Sequence, residues 1–169
     1  MDWPVAITQW LHVFFGTFWF GGTLYANFVM MPGILSLPRD RQLPVINAIT
    51  ASIDRVIPGV AVATIVLGIL RGTLFGPIRD VADLSAGYGL YWLIGLIVAL
   101  ATFAWGFLVI RPLGQRLSRE SARWAGAADA VPDELVALGN RLKFVALAET
   151  VGFLVIFTMM ILMHAASEG

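Results

Sequence analysis

The distribution of charge is the feature of this sequence that most restricts its fold. Its 169 residues include only 11 basic and 11 acidic side chains. Charged residues are absent from three long stretches, 3–38, 56–70 and 84–110. A fourth stretch, 144–163, contains only Glu149. Because a membrane-spanning helix needs about 20 mainly apolar residues, we predict four transmembrane helices, at about residues 5–29, 57–75, 88–110 and 144–164.

The composition supports this class and excludes others. Hydrophobic residues make up 59% of the chain and charged residues 13%, whereas a soluble domain has about 25% charged residues. The net charge of zero argues against a nucleic-acid partner. The absence of cysteine excludes disulfides, thiolate metal sites and iron–sulfur clusters. We expect an all-α four-helix bundle that forms a single transmembrane domain over residues 1–169 and has the lipid bilayer as its surroundings.

The basic residues predict how the bundle is oriented. Three of them lie in the connection 31–56 and six in the connection 111–143. Only Arg71 and Arg79 lie near the opposite ends of the helices. Cytoplasmic connections carry an excess of lysine and arginine. We therefore expect both termini on the non-cytoplasmic side of a membrane, which we take to be a bacterial inner (cytoplasmic) membrane.

Local patterns predict further helical structure in the connections. Apolar residues recur at helical spacing over 43–56, which predicts an amphipathic helix that leads into the second span, with Pro58 at a kink or a helix start. The third helix is expected to extend beyond the span, with Arg116, Arg119 and Arg123 on one face of the extension. The sequence Pro132-Asp133-Glu134 is a typical helix start. Three glycines spaced by four, Gly68, Gly72 and Gly76, predict close packing of a helix, within the bundle or from a second protomer.

The two histidines are the main candidates for a functional site. His12 is predicted about 10 Å below the outer boundary, and His164 ends the fourth helix in the same leaflet. Arg71, at the outer end of the second helix, also lies there. Imidazole is a common axial ligand of haem, and arginine pairs with propionates. These residues predict a site for haem b, with Trp19, two turns after His12, packing against the porphyrin.

Two other interpretations use the same residues. Methionine and histidine bind Cu(I), so His12, His164 and Met160 are the alternative metal ligands, with Met159 and Met163 nearby. Alternatively, His12 donates to a carbonyl of another helix, His164 is interfacial and Arg71 extends to the membrane surface. Glu149, near the depth of Asn27, is either a proton-handling group or part of a structural pair, neutralised by Lys143 or Arg55.

The first helix resembles a known family. It contains Trp10-Leu11-His12-Val13 followed by Trp19-Phe20-Gly21-Gly22-Thr23-Leu24-Tyr25. This pattern is similar to that of the copper-resistance D (CopD) proteins and the HemJ-type membrane protoporphyrinogen oxidases. The resemblance implies a four-helix bundle in which His12 serves a haem or a metal. HemJ-type enzymes also use a lysine and histidines in later helices, and the third span here contains neither.

Three functions remain open at this point. The first is a b-type haem-binding membrane protein in electron transfer or haem handling, and the second is copper transport or homeostasis. The third is a non-catalytic accessory subunit of a larger respiratory or photosynthetic membrane complex. A homodimer is compatible with each. The chain contains no Ser-His-Asp set, zinc-protease motif or nucleotide-binding fingerprint, and its sequence leaves open whether it is an enzyme.

Overall fold

The computed structural model describes residues 2–85, 87–123 and 133–168 of the chain. Over these residues it is helical, without strands, and it has four helices that are long and apolar enough to cross a membrane. They are α1 (Trp3–Leu35), α2 (Arg39–Gly72), α3 (Gly87–Arg123) and α4 (Asp133–Glu168). The predicted all-α architecture with four spans is confirmed, and it is consistent with an integral membrane protein.

Two helices contain a π-helical turn. In α1 this turn is Ala26–Met30, and in α3 it is Gly106–Ile110. The Met31 N–H donates to the Ala26 carbonyl, and the Arg111 N–H donates to the Gly106 carbonyl. Each bond spans five residues instead of four, so each turn holds one extra residue.

Helix α2 is longer at its beginning than the predicted span. It runs without interruption from Arg39 through Pro44 and Pro58, so Pro58 does not start a helix and the amphipathic segment and the span are continuous. The helix ends at Gly72 instead of residue 75. Beyond it the Phe75 N–H donates to the Leu70 carbonyl at 2.9 Å, which turns the chain away from the helix axis.

The other predicted extensions agree with the structure. Helix α3 continues to Arg123, and its Arg116, Arg119 and Arg123 side chains are exposed. Helix α4 begins at Asp133, while Pro132 lies outside the described residues. An ion pair of 3.2 Å between Arg111 Nε and Asp54 Oδ2 joins α3 to α2 at this end of the bundle.

The core is small and aromatic. Trp19, Ala61 and Phe153 are its most buried members, with exposed fractions of 4%, 1% and 4%. The Trp19 ring meets Phe153 edge-on at 4.9 Å and Phe103 at 6.4 Å, so it joins α1, α3 and α4. Many large apolar side chains elsewhere are exposed, among them Trp10, Phe28 and Leu108, as expected where the outer surface faces lipid tails and packing contacts hold the helices together.

The connection between α2 and α3 contains a 3-10 turn, Val81–Ser85. The Asp83 carboxylate accepts hydrogen bonds from the backbone N–H groups of Arg79 and Asp80, at 2.8 and 2.9 Å. Because both bonds stabilise the ionised form, they lower the pKa of Asp83.

This connection should therefore loosen in acid. Because the pKa of Asp83 is lowered, its contribution to the stability of this connection is complete above the ordinary carboxyl pKa. That contribution is lost as the pH falls through the lowered value. We expect amide hydrogen exchange at Arg79 and Asp80 to become faster at acidic pH, after correction for the intrinsic rate. The Asp83→Ala variant, which has no side-chain acceptor, should show the faster exchange at every pH. Equal protection in wild type and variant at neutral pH would contradict this role for Asp83.

Candidate functional site

His12 lies at the interface between α1 and α2. Its Nδ1 is 2.9 Å from the Thr64 carbonyl oxygen. Its ring packs directly against Gly68, where an added Cβ atom would lie 2.9 Å from Cε1 of the imidazole. A glycine at this position is what allows the two helices to approach with the imidazole between them.

The hydrogen bond determines the tautomer of His12. A carbonyl oxygen only accepts hydrogen bonds, so Nδ1 carries the proton and donates it. In the neutral ring Nε2 then has the free lone pair. An imidazole whose Nδ1–H is held by a backbone carbonyl is the usual arrangement of a metal-binding histidine.

Arg71 lies at the same end of the α1–α2 interface. Its Nε donates to Gln9 Oε1 at 3.0 Å, and its NH1 donates to the Phe75 carbonyl at 2.9 Å. Gln9 is one helical turn before His12, so the guanidinium lies about one turn from the imidazole along the same interface. The structure therefore brings together two of the predicted site residues, His12 and Arg71.

Trp92 of α3 is a third member of this region, and the sequence did not indicate it as a site residue. Its Nε1 donates to the Gly68 carbonyl at 3.1 Å. Its indole ring fills the space beside Gly72, where an added Cβ atom would collide with Nε1. Gly68 therefore packs against the His12 ring, and its carbonyl accepts a hydrogen bond from Trp92. The glycine spacing is the signal that points to this packing.

The predicted glycine contact is therefore made within the bundle for two of the three glycines. Gly68 and Gly72 accommodate side chains of α1 and α3. Gly76 lies beyond the end of α2, where it sits tightly against the carbonyls of Arg71 and Gly72. Its small size serves the turn that follows the helix.

The Gly72→Ala variant should destabilise the bundle. An added methyl group meets the Trp92 indole, and overpacking of this kind costs about 1–3 kcal/mol. The free energy of unfolding in detergent, followed by circular dichroism, measures the effect. Gly59→Ala is the matched control on the same helix, because nothing lies within 4 Å of an added Cβ there. Equal stability of the two variants would contradict the packing described for Trp92.

The remaining predicted residues lie elsewhere. His164 is exposed near the end of α4, and Met160 is half-buried one turn before it. Trp19 faces the apolar core between Phe103 and Phe153. Met159 is directed towards Gly95 of α3. Within the described ranges, no three His, Cys, Asp or Glu side chains form a group that could hold a metal ion.

A second polar region lies towards the other end of the bundle. Glu149 of α4 is half-buried, and its Oε1 is 2.9 Å from the position that a Cβ of Gly106 would take. The Asn27 Nδ2 atom is buried without a hydrogen-bond partner. Lys143 and Arg55, the predicted neutralising residues, are exposed. The ion pairs of the described side chains are Arg111–Asp54 and Arg123–Glu120, and neither includes Glu149.

Comparison of the chain with protein-family models, curated proteins and solved structures finds no match.

Proposed function

We propose that this chain is a membrane protein that binds b-type haem through Nε2 of His12 and acts in electron transfer or haem handling. The observation that supports this proposal best is the hydrogen bond from His12 Nδ1 to the Thr64 carbonyl. It holds the ring in place and leaves the lone pair on Nε2, the nitrogen that an axial ligand uses.

The neighbouring residues fit an anionic cofactor. Arg71 is held beside His12 by Gln9 and the Phe75 carbonyl, so a positive charge is fixed at the end of the α1–α2 interface. Guanidinium groups pair well with carboxylates such as propionates. His164 is the candidate second ligand, and its exposed position near the end of α4 makes it the weaker of the two. A bound haem supplies one-electron chemistry.

The chain's own residues have three roles in this proposal. The Thr64 carbonyl fixes the tautomer and the orientation of His12. Gly68 provides the space in which the imidazole lies. Trp92, bonded to the Gly68 carbonyl, fixes α3 against α2 behind the histidine. These contacts order the ligand before the cofactor binds.

An absorption spectrum of the purified protein tests the proposal. We expect sharp bands in the reduced-minus-oxidised spectrum and about one haem per chain or per pair of chains by pyridine haemochrome assay. Metal analysis of the same sample separates the alternatives. Copper without haem would replace the proposal with copper transport or homeostasis. A colourless sample that contains neither haem nor copper, even after addition of haemin, would overturn the haem proposal and favour an accessory subunit.

We also propose that both termini are outside the cytoplasm, in a bacterial inner membrane, because the basic connections lie at the opposite end. The chain has no cysteine, so single cysteines can be introduced without background. Val81 is 84% exposed in the α2–α3 connection, and Ala122 is exposed near the end of α3. An impermeant thiol reagent added to intact cells should label Val81→Cys and spare Ala122→Cys. The reverse pattern would show the opposite orientation.

A further inference from the structure

Glu149 is an acidic side chain whose charge is not balanced within its own surroundings. It lies in the stretch of α4 that contains no other charged residue, 144–163. Its Oε1 is packed against Gly106 of α3. A carboxylate at this depth has a large desolvation cost unless a cation accompanies it.

The charged residues of the packed helices do not supply that cation. Helix α1 has none over residues 3–35. Arg111 of α3 is paired with Asp54 of α2, and the next charged residue of α2, Arg55, is exposed. In α4 itself Arg141 and Lys143 are exposed. The charge of Glu149 therefore requires a neutralising species that is not a side chain of the described residues.

Asn27 lies at the same level of the bundle as Glu149. The ring contacts of Phe20 with Phe153 and Phe157, at 5.3 and 6.5 Å, set the antiparallel register of α1 and α4. Seven residues further along α1, Asn27 is then level with about residues 146–150 of α4. Its Nδ2 atom is buried and has no hydrogen-bond partner, which is uncommon for a buried polar atom. An amide N–H donates, so Nδ2 needs an oxygen acceptor such as a carboxylate, and only Oδ1 of Asn27 can contact a cation.

The two π turns lie next to these side chains. Asn27 belongs to the turn of α1, and Gly106 begins the turn of α3. Both turns contact α4. A π turn interrupts the regular series of helical hydrogen bonds, and such turns are frequent at functional sites. In secondary transporters, backbone carbonyls at interruptions of a helix coordinate Na⁺.

We propose that Glu149, Asn27 and the backbone of the two π turns form a binding site for a small monovalent cation, either a proton or Na⁺. Glu149 supplies the negative charge. In the proton case its carboxylate takes up one H⁺ and becomes a neutral carboxylic acid, with no change of oxidation state. In the sodium case the carboxylate and amide oxygens are the ligands. The site is separate from His12 and does not depend on the proposed function.

Infrared difference spectroscopy of the full chain in lipid nanodiscs tests the site. Spectra are recorded over a pH titration, once with NaCl and once with choline chloride. We expect a protonated-carboxyl band that depends on pH and is absent from Glu149→Gln. Glu134→Gln is the matched control, because Glu134 is an exposed residue in the first turn of the same helix. A band that is independent of Na⁺ identifies the proton as the ligand, and a band that Na⁺ suppresses identifies competition between the two ions.

The Asn27→Leu variant tests the second member of the site. Leucine has a similar volume but no hydrogen-bonding group, so the apparent affinity for the cation should change by about fivefold, the equivalent of one hydrogen bond. An unchanged titration would remove Asn27 from the site. All 11 acidic side chains contribute to the carboxyl region of the spectrum, so a wild-type titration identical to that of Glu149→Gln would overturn the whole proposal. If Glu149→Gln does not fold, Glu149→Asp keeps the carboxyl group but moves it, and bands unchanged from wild type in frequency and pH dependence would overturn the proposal equally.

Discussion

The Trp19→Ala variant is expected to lose about 3–5 kcal/mol of folding free energy, the usual cost of removing a large aromatic side chain from a packed core. Trp19 is 4% exposed and is the residue through which α1 contacts both α3 and α4. Its removal leaves a cavity at the centre of the bundle. Within a membrane the lost quantity is chiefly van der Waals contact, because lipid tails are as apolar as the core.

Trp10→Ala is the matched control for this prediction. Trp10 lies on the same helix, stacks on Phe14 at 5.4 Å and is 64% exposed, so its replacement leaves no internal cavity. Denaturant unfolding in detergent, followed by circular dichroism, should show a large loss of stability for Trp19→Ala and a small one for Trp10→Ala. A loss for Trp19→Ala no greater than that of the control would mean that α1 is not anchored through this ring.

The number of long helices and the approximate positions of their apolar spans could be predicted from the charge distribution alone. Charged residues are costly in lipid, so a charge-free stretch of about 20 residues strongly indicates a membrane span. The extension of α3 through Arg116, Arg119 and Arg123 and the beginning of α4 near Asp133 also followed from local patterns. The continuity of α2 through Pro58 could not be predicted, because proline disrupts a helix in water and neighbouring helices can compensate for it in a membrane.

One interpretation of the sequence, that His12 donates to a carbonyl of another helix, agrees with the structure, but the particular carbonyl could not be predicted. Its hydrogen bond goes to the backbone carbonyl of Thr64, and every residue has such a carbonyl, so no residue type signals the contact. The glycine at position 68 was a usable signal of close approach. It did not show which side chains fill the space, because that depends on the rotation of α1 and α3 about their axes.

The polar region around Glu149 was predictable only in part. Sequence reasoning placed Glu149 and Asn27 at similar depths, and the register of α1 against α4 agrees. The two π turns had no recognisable pattern, since the residues in them are ordinary helix and membrane residues such as Ala26 and Phe107. A π turn depends on how one helix packs against its neighbours. The sequence pattern of that helix alone does not show this packing.

The His12→Ala variant is expected to abolish retention of haem, whereas His164→Ala should retain it with a shifted spectrum. The His12 side chain is held in place, because its Nδ1 is hydrogen-bonded to the Thr64 carbonyl and its ring packs against Gly68. His164 is exposed near the end of α4, where helix ends fray and water can replace a ligand. The measurement is the haem content of each variant after purification, from the same pyridine haemochrome assay.

A loss of haem in His12→Ala must be separated from a loss of structure. The substitution removes one hydrogen bond, worth about 1 kcal/mol, so circular dichroism and gel filtration should show a folded protein. The sharper test is His12→Gly with imidazole added to the buffer. If His12 serves as a ligand, free imidazole can enter the space left by the side chain and restore haem binding. Full haem content in His12→Ala together with its loss in His164→Ala would place the site on α4 and refute the role proposed for His12.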